Sequence, residues 1–154
     1  MSYMLKDSIG YRASLAVTTL KSRFAKLLNP YGIAPEQFAT LKIISEDNEV
    51  TQTRIAELLA KNKTTVGRSI DALVQKGLIA RQDIENDRRA NLITLTVKGE
   101  EVLKLATPIA QNFNETVKSK LDQKEIETFF KVLDLMMELS QDTNLDRGNR
   151  DEVI

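Results

Sequence analysis

At ~100° per residue, the stretch from Lys63 to Gly77 sorts by residue type. Val66, Ile70, Leu73 and Gly77 fall on one side. Thr64, Arg68, Asp71 and Gln75 fall on the other, with Thr65 on the flank. The outer side is short, polar and rich in hydrogen-bond donors. A helix of this kind fits the ~12 Å wide major groove of duplex DNA and can bond to base edges there. Arg68 suits guanine O6 and N7. Asp71 either accepts from cytosine N4 or pairs with Arg68 three residues earlier. Gln75 lies nearly two turns further on, at the limit of reach. Lys63 opens the same segment.

Two other groups suit phosphate and groove chemistry. Thr51, Gln52 and Thr53 begin a short predicted helix, where backbone N–H groups and hydroxyls favour a phosphate oxygen. Asp87-Arg88-Arg89-Ala90 places two guanidinium groups on an expected hairpin loop. An arginine inserted into a narrow minor groove reads its shape and A·T content. Asp87 can steady that loop by pairing with one of the arginines. Each group alone fits an ordinary solvated surface equally well. Their order carries the specificity.

The elements that must position them are read from periodicity. Ser8 to about Asn29 is a predicted helix, with Leu20, Phe24 and Leu27 on one face. Asn29-Pro30-Tyr31-Gly32 breaks it. Pro35 starts a second helix, with Phe38, Leu41 and Ile43 or Ile44 inward, and Asp47-Asn48 ends it. A short third helix follows Thr51, its inner face being Ile55, Leu58 and Leu59. Lys61-Asn62-Lys63 is a polar turn. The fourth helix runs from Lys63 or Thr64 to Lys76 and stops at Gly77 as its C′ glycine. Residues 78–81 and 92–95 are two short strands around a charged loop, 82–91. A long helix spans Thr96 to Leu121, with a kink expected at Pro108. Asp122 caps a last helix through about Gln141. Its apolar face is Ile126, Phe129, Phe130, Leu133, Met136 and Met137.

Helix, tight turn, helix, glycine, strand, arginine-rich loop, strand is the order of a winged helix-turn-helix. The fold class is therefore mainly α with a small β-hairpin wing. The expected division is a DNA-binding domain over 35–95, a helical dimerisation region made of 1–34 and 96–142, and a flexible tail over 143–154.

Composition removes several alternatives. Of the 154 residues 42% are apolar and 29% charged, a globular balance. There is no Cys and no His. Thiol chemistry, Cys/His zinc sites, a Ser-His-Asp triad and a histidine general base are all excluded. No paired carboxylates stand out on a cleft-like element, so an enzyme is not expected, nor a metal or a cofactor. No signal-peptide pattern and no membrane-length apolar run occurs, which points to a cytoplasmic protein without a membrane partner. The net charge is zero but unevenly spread. Residues 51–99 hold nine basic and five acidic residues, and residues 100–154 hold seven and twelve. The basic middle marks one surface for a polyanion.

Val50-Thr51-Gln52-Thr53-Arg54-Ile55-Ala56-Glu57-Leu58-Leu59, continued by Leu73 to Arg81, resembles the core of the MarR (multiple antibiotic resistance regulator) family. Asp87-Arg88-Arg89-Ala90, then Leu95-Thr96 and Gly99, is similar to that family's wing motif, Asp-x-Arg followed by Leu-Thr-x-x-Gly. The resemblance covers roughly residues 8–141 in element order. It implies a homodimer that holds two winged lobes on a pseudo-palindromic operator in double-stranded DNA. It also implies a repressor of nearby genes, released by a small organic ligand such as an aromatic or phenolic acid. On this resemblance Arg89 is the minor-groove arginine, Asp87 its supporting acid, and Thr64, Thr65 and Arg68 lie on the recognition helix.

The apolar faces of the first and last helices support a dimer independently, since they lie outside the small winged core. Two-fold symmetry would set the recognition helices ~34 Å apart. Without Cys or His, redox and zinc switching are not expected, which leaves a small organic effector or none. Tyr11, Arg12 and Tyr31 are the candidates to line its pocket, or else packing and surface residues. Two other functions fit the same elements: an architectural or counter-silencing DNA-binding activator without effector, and a protein-interaction module on a winged-helix scaffold.

Overall fold

The computed structural model describes residues 4–47, 50–84 and 87–141, with the backbone alone at 83, 84, 87–91, 140 and 141. The expected tail, 143–154, lies outside the described residues. Helix α1 (Ile9–Leu28) follows a 3-10 turn, Leu5–Asp7, and a second 3-10 turn, Asn29–Tyr31, leads to α2 (Pro35–Glu46). Strand β1 (Val50–Thr51), α3 (Gln52–Leu58) and α4 (Lys63–Gln75) come next. A ribbon of β2 (Ile79–Ile84) and β3 (Asp87–Leu95) precedes α5 (Val97–Lys118) and α6 (Gln123–Gln141). The chain divides into two compact units, one through Gln111 and one from Asn112.

Local chemistry sets the boundaries. The Ser8 hydroxyl accepts from the Tyr11 N–H at 3.2 Å, an N-cap for α1. Gly32 ends the second 3-10 turn at φ +68°, a left-handed conformation that favours glycine. Asp122 and Glu125 cap α6 reciprocally. Each carboxylate accepts the other residue's backbone N–H at 2.8 Å.

The core of the first unit gathers side chains from each of α1 to α5 and each of the three strands. Leu28, Leu41, Ile55, Ile70, Leu73 and Ile93 are fully enclosed. Ile33, Ile44, Val50, Ala56, Val66, Leu78, Ile79, Leu103 and Ala106 complete it. Phe24 meets Phe38 edge-on at 5.7 Å and joins α1 to α2. Burial on this scale is the main force holding the elements together.

In α1 the fully buried residue is Leu28, while Leu20 and Leu27 are exposed, and in α6 Phe129, Phe130 and Met137 are exposed, in keeping with apolar faces that lie outside the winged core. Two expectations need correction. In α3 the inner positions are Ile55 and Ala56, and Leu58 is exposed. A small residue there lets the short helix approach its neighbours closely. The second is the charged segment 82–91, of which residues 82–84 and 87–91 are strand. The sheet is antiparallel in the order β1-β3-β2, with Val50 opposite Ile93, Ile79 opposite Leu95 and Asp83 opposite Asn91. Ladder hydrogen bonds come from the backbone, so a solvent-facing ribbon can carry charge without an apolar pattern.

Candidate nucleic-acid interface

Helix α4 presents the predicted polar face. Val66, Ile70 and Leu73 are buried, and Lys63, Thr64, Thr65, Arg68, Asp71 and Gln75 are exposed. Its start is fixed by Asn62, whose Oδ1 accepts from the Thr65 N–H at 2.7 Å. Its end is a Schellman turn. The Leu78 N–H donates to Leu73 O at 3.0 Å and the Gly77 N–H to Val74 O at 2.9 Å, with Gly77 at φ +69°.

Further contacts hold α4 against the rest of the unit. The Lys76 ammonium donates to Gly32 O at 2.7 Å and to Gln37 Oε1 at 2.8 Å. The Lys98 ammonium, from the first turn of α5, donates to Lys76 O at 2.8 Å. A cation at that position also suits the negative end of the α4 dipole. The Thr96 hydroxyl donates to Gly77 O at 2.6 Å and accepts from the Gly99 N–H at 3.0 Å. A side chain at Gly99 would strike the Leu78 carbonyl. The Leu95-Thr96-Val97-Lys98-Gly99 segment is thus a joint between the recognition helix, the wing and α5.

Some predicted site residues also have internal duties. Gln52 is half-buried, and its Nε2 donates to Lys63 O at 3.2 Å. A Cβ at Gly67 would lie 2.9 Å from that same Nε2. Gln52 therefore ties the start of α3 to the start of α4. The Thr51 hydroxyl caps α3 by accepting from the Arg54 N–H at 3.2 Å. Thr53 is exposed at the same helix start and stays open to a phosphate. Asp71 pairs with a residue other than Arg68. Its Oδ1 accepts from the Arg81 guanidinium in β2 at 2.6 Å.

The wing residues are placed by their backbone. Asp87, Arg88 and Arg89 begin β3 rather than lying in a loop, and their side chains lie outside the described residues. Tyr11, Arg12 and Tyr31 are not brought together within one chain. Tyr11 and Arg12 are exposed in the first turn of α1, while Tyr31 is half-buried past its far end. At 1.5 Å per residue, the helix alone separates Tyr11 from Leu28 by about 26 Å. What the first unit does hold is a half-open cleft of about 550 Å³. Ile44, Ile93, Leu95 and Leu103 give it apolar walls, with Glu100 and Lys104 at its polar positions.

Asn62, Lys76, Arg81 and Lys98 were missed as organisers of this surface. Asn62 had a local signal, a polar residue just before an amphipathic run. The others had none, because their partners are distant in sequence.

Comparison with known proteins places these features in context. Residues 33–90 match the model of the MarR family. The transcriptional regulator HosA of Escherichia coli O127:H6 is 28% identical over 101 residues, covering 66% of this chain and 75% of that protein. Among solved structures, the S. aureus MepR–DNA complex superposes with a TM-score of 0.81 at 26% identity, over 85% of this chain and 97% of that one. A mutant MarR from E. coli complexed with operator DNA gives 0.79 at 22% identity, over 88% and 99%, a likeness of fold.

Proposed function

Residues 33–90 form a MarR-family domain, and the relatives that the chain resembles are transcriptional regulators; from that premise we propose a dimeric, sequence-specific repressor of nearby genes, released by a small aromatic or phenolic ligand. The family is one of regulators rather than enzymes. The observation that carries the reading is the division of α4, with three apolar residues buried and six polar ones exposed. Arg68 reads a base edge, Thr64 and Thr65 support it, Lys63 and Thr53 meet phosphates, and Arg89 enters the minor groove. Arg88 and Asp87 stand beside it, and Gln75 serves the far end of the contact.

Dimerisation rests on the exposed apolar side chains. In the first unit α1 exposes Leu15, Val17 and Leu20, and in the second α6 exposes Phe129, Phe130, Leu135 and Met137. Large apolar surface on a monomer marks a site of association. Residues 1–34 and 96–142 form the dimerisation region, and 35–95 the DNA-binding domain. No helix among the described residues is long and apolar enough to cross a membrane, and a regulator of this kind works in the cytoplasm, where its operator is.

The effector belongs in the cleft bounded by Ile44, Ile93, Leu95 and Leu103. Its apolar walls suit an aromatic ring, and the Lys104 ammonium suits a carboxylate. Because the cleft borders β3 and α5, a ligand there acts on the joint that holds α4.

Fluorescence anisotropy with DNA from upstream of the gene, against random duplex, tests the reading. A repressor prefers its operator roughly 10³-fold or more, and its affinity falls steeply with salt. Adding aromatic acids then lowers operator affinity. Equal binding to both duplexes would favour the architectural function, and no binding to either at low salt would favour a protein-interaction module.

A further inference from the structure

The ion pair between Asp71 and Arg81 joins the recognition helix to the first strand of the wing. The Arg81 Nη2 lies 2.6 Å from Asp71 Oδ1, and the two side chains are 37% and 57% exposed. Exposed pairs of this kind add little to folding, so stability does not account for its place. On the proposed DNA-binding reading, that place is the DNA-facing side of the protein. Asp71 follows Arg68 by three residues and precedes Gln75 by four, on the polar face of α4.

We infer that Asp71 is a specificity-determining residue, a carboxylate that holds Arg81 away from phosphate so that sequence-independent affinity stays low. The inference rests on the DNA-binding reading. Cations that meet phosphates strengthen binding to any duplex alike, because each contact releases counterions regardless of sequence. Arg81 is within reach of the same surface as Arg68, yet its charge is spent on Asp71. The carboxylate also repels phosphates that approach the helix in the wrong register. Base contacts by Arg68 are untouched, so the operator loses less than random DNA does.

Three variants test this: Asp71→Asn, Arg81→Gln and the double variant. Each is compared with the wild type by anisotropy on operator and on random duplex across a salt series. Thermal unfolding, expected to be unchanged within about 2 °C for an exposed pair, checks that each is folded. In Asp71→Asn the freed Arg81 meets a phosphate. Random-duplex affinity rises roughly tenfold, the ratio of operator to random affinity falls by about the same factor, and the salt slope steepens by about 0.9. The double variant returns to the wild-type slope. Arg81→Gln leaves the carboxylate unshielded and weakens random-duplex binding further. An unchanged slope and ratio in Asp71→Asn overturns the inference, as do equal gains on both duplexes. If the wild type itself binds neither duplex, the DNA-binding reading fails and this inference with it. If the wild type binds its operator and only the variants disappoint, the DNA-binding reading stands alone.

Discussion

The Cβ that Gly99 lacks would lie 1.9 Å from the carbonyl oxygen of Leu78 and 2.9 Å from its carbonyl carbon. That carbonyl already accepts the Thr96 N–H at 3.1 Å. The first turn of α5 therefore rests directly on the backbone that links the recognition helix to the wing, with no room for a methyl group. Replacing Gly99 by Ala should cost about 3 kcal/mol, a loss of roughly 10 °C in melting temperature for a chain of this size. Circular dichroism melts measure it, and a variant that melts like the wild type would contradict this packing.

The cap at Asn62 acts on function through stability of one helix. Asn62→Ala removes the acceptor for the Thr65 N–H and should cost about 1 kcal/mol. The first turn of α4 carries Lys63, Thr64 and Thr65, so operator affinity should drop as well, by roughly threefold to tenfold. Asn62→Asp keeps the acceptor and should restore the melting temperature. Melts and anisotropy on the two variants separate the effects.

Arg68 and Arg89 should fail in different ways. With Arg68 proposed to read a base edge, Arg68→Ala should weaken operator binding by about 1–3 kcal/mol, with random duplex less affected. Arg89→Ala should weaken binding to A·T-rich operators most, with little change on operators whose minor groove is wide. Anisotropy across operator variants reads both. Equal losses on all sequences for Arg68→Ala would mean that it contacts phosphate only.

Phe130 is 50% exposed on α6. Placed in a dimer interface it is buried, and a charge there is costly. The wild type should sediment as a species of about twice its 17.4 kDa mass, and Phe130→Glu should shift it to the monomer. The same variant should lose operator affinity by at least tenfold, because two half-sites are no longer held by one particle. A monomeric wild type at micromolar concentration would remove the dimer from the proposed function.

Much of the site was legible locally. Val66, Ile70 and Leu73 repeat at helical spacing, and that repeat alone turned Thr64, Arg68 and Asp71 outward. Gly77 and Asp122 announced helix ends through their chemistry. The wing was less legible. Residues 82–84 and 87–91 join the ribbon through backbone hydrogen bonds, and backbone bonding leaves no mark in side-chain type.

By itself, then, the sequence determined the order of the helices, the buried and outward sets on α4 and the absence of any cysteine or histidine chemistry. These follow from residue type and short-range periodicity, which the chain carries wherever it folds. Only the tertiary structure decided the partners of the polar side chains. Asp71 took Arg81 ten residues on, Lys76 took Gly32 at a separation of forty-four, and Gln52 took Lys63 at eleven. A polar side chain bonds to whatever the packing of apolar faces brings within about 3 Å. That geometry is a property of the whole core, and no local pattern encodes it.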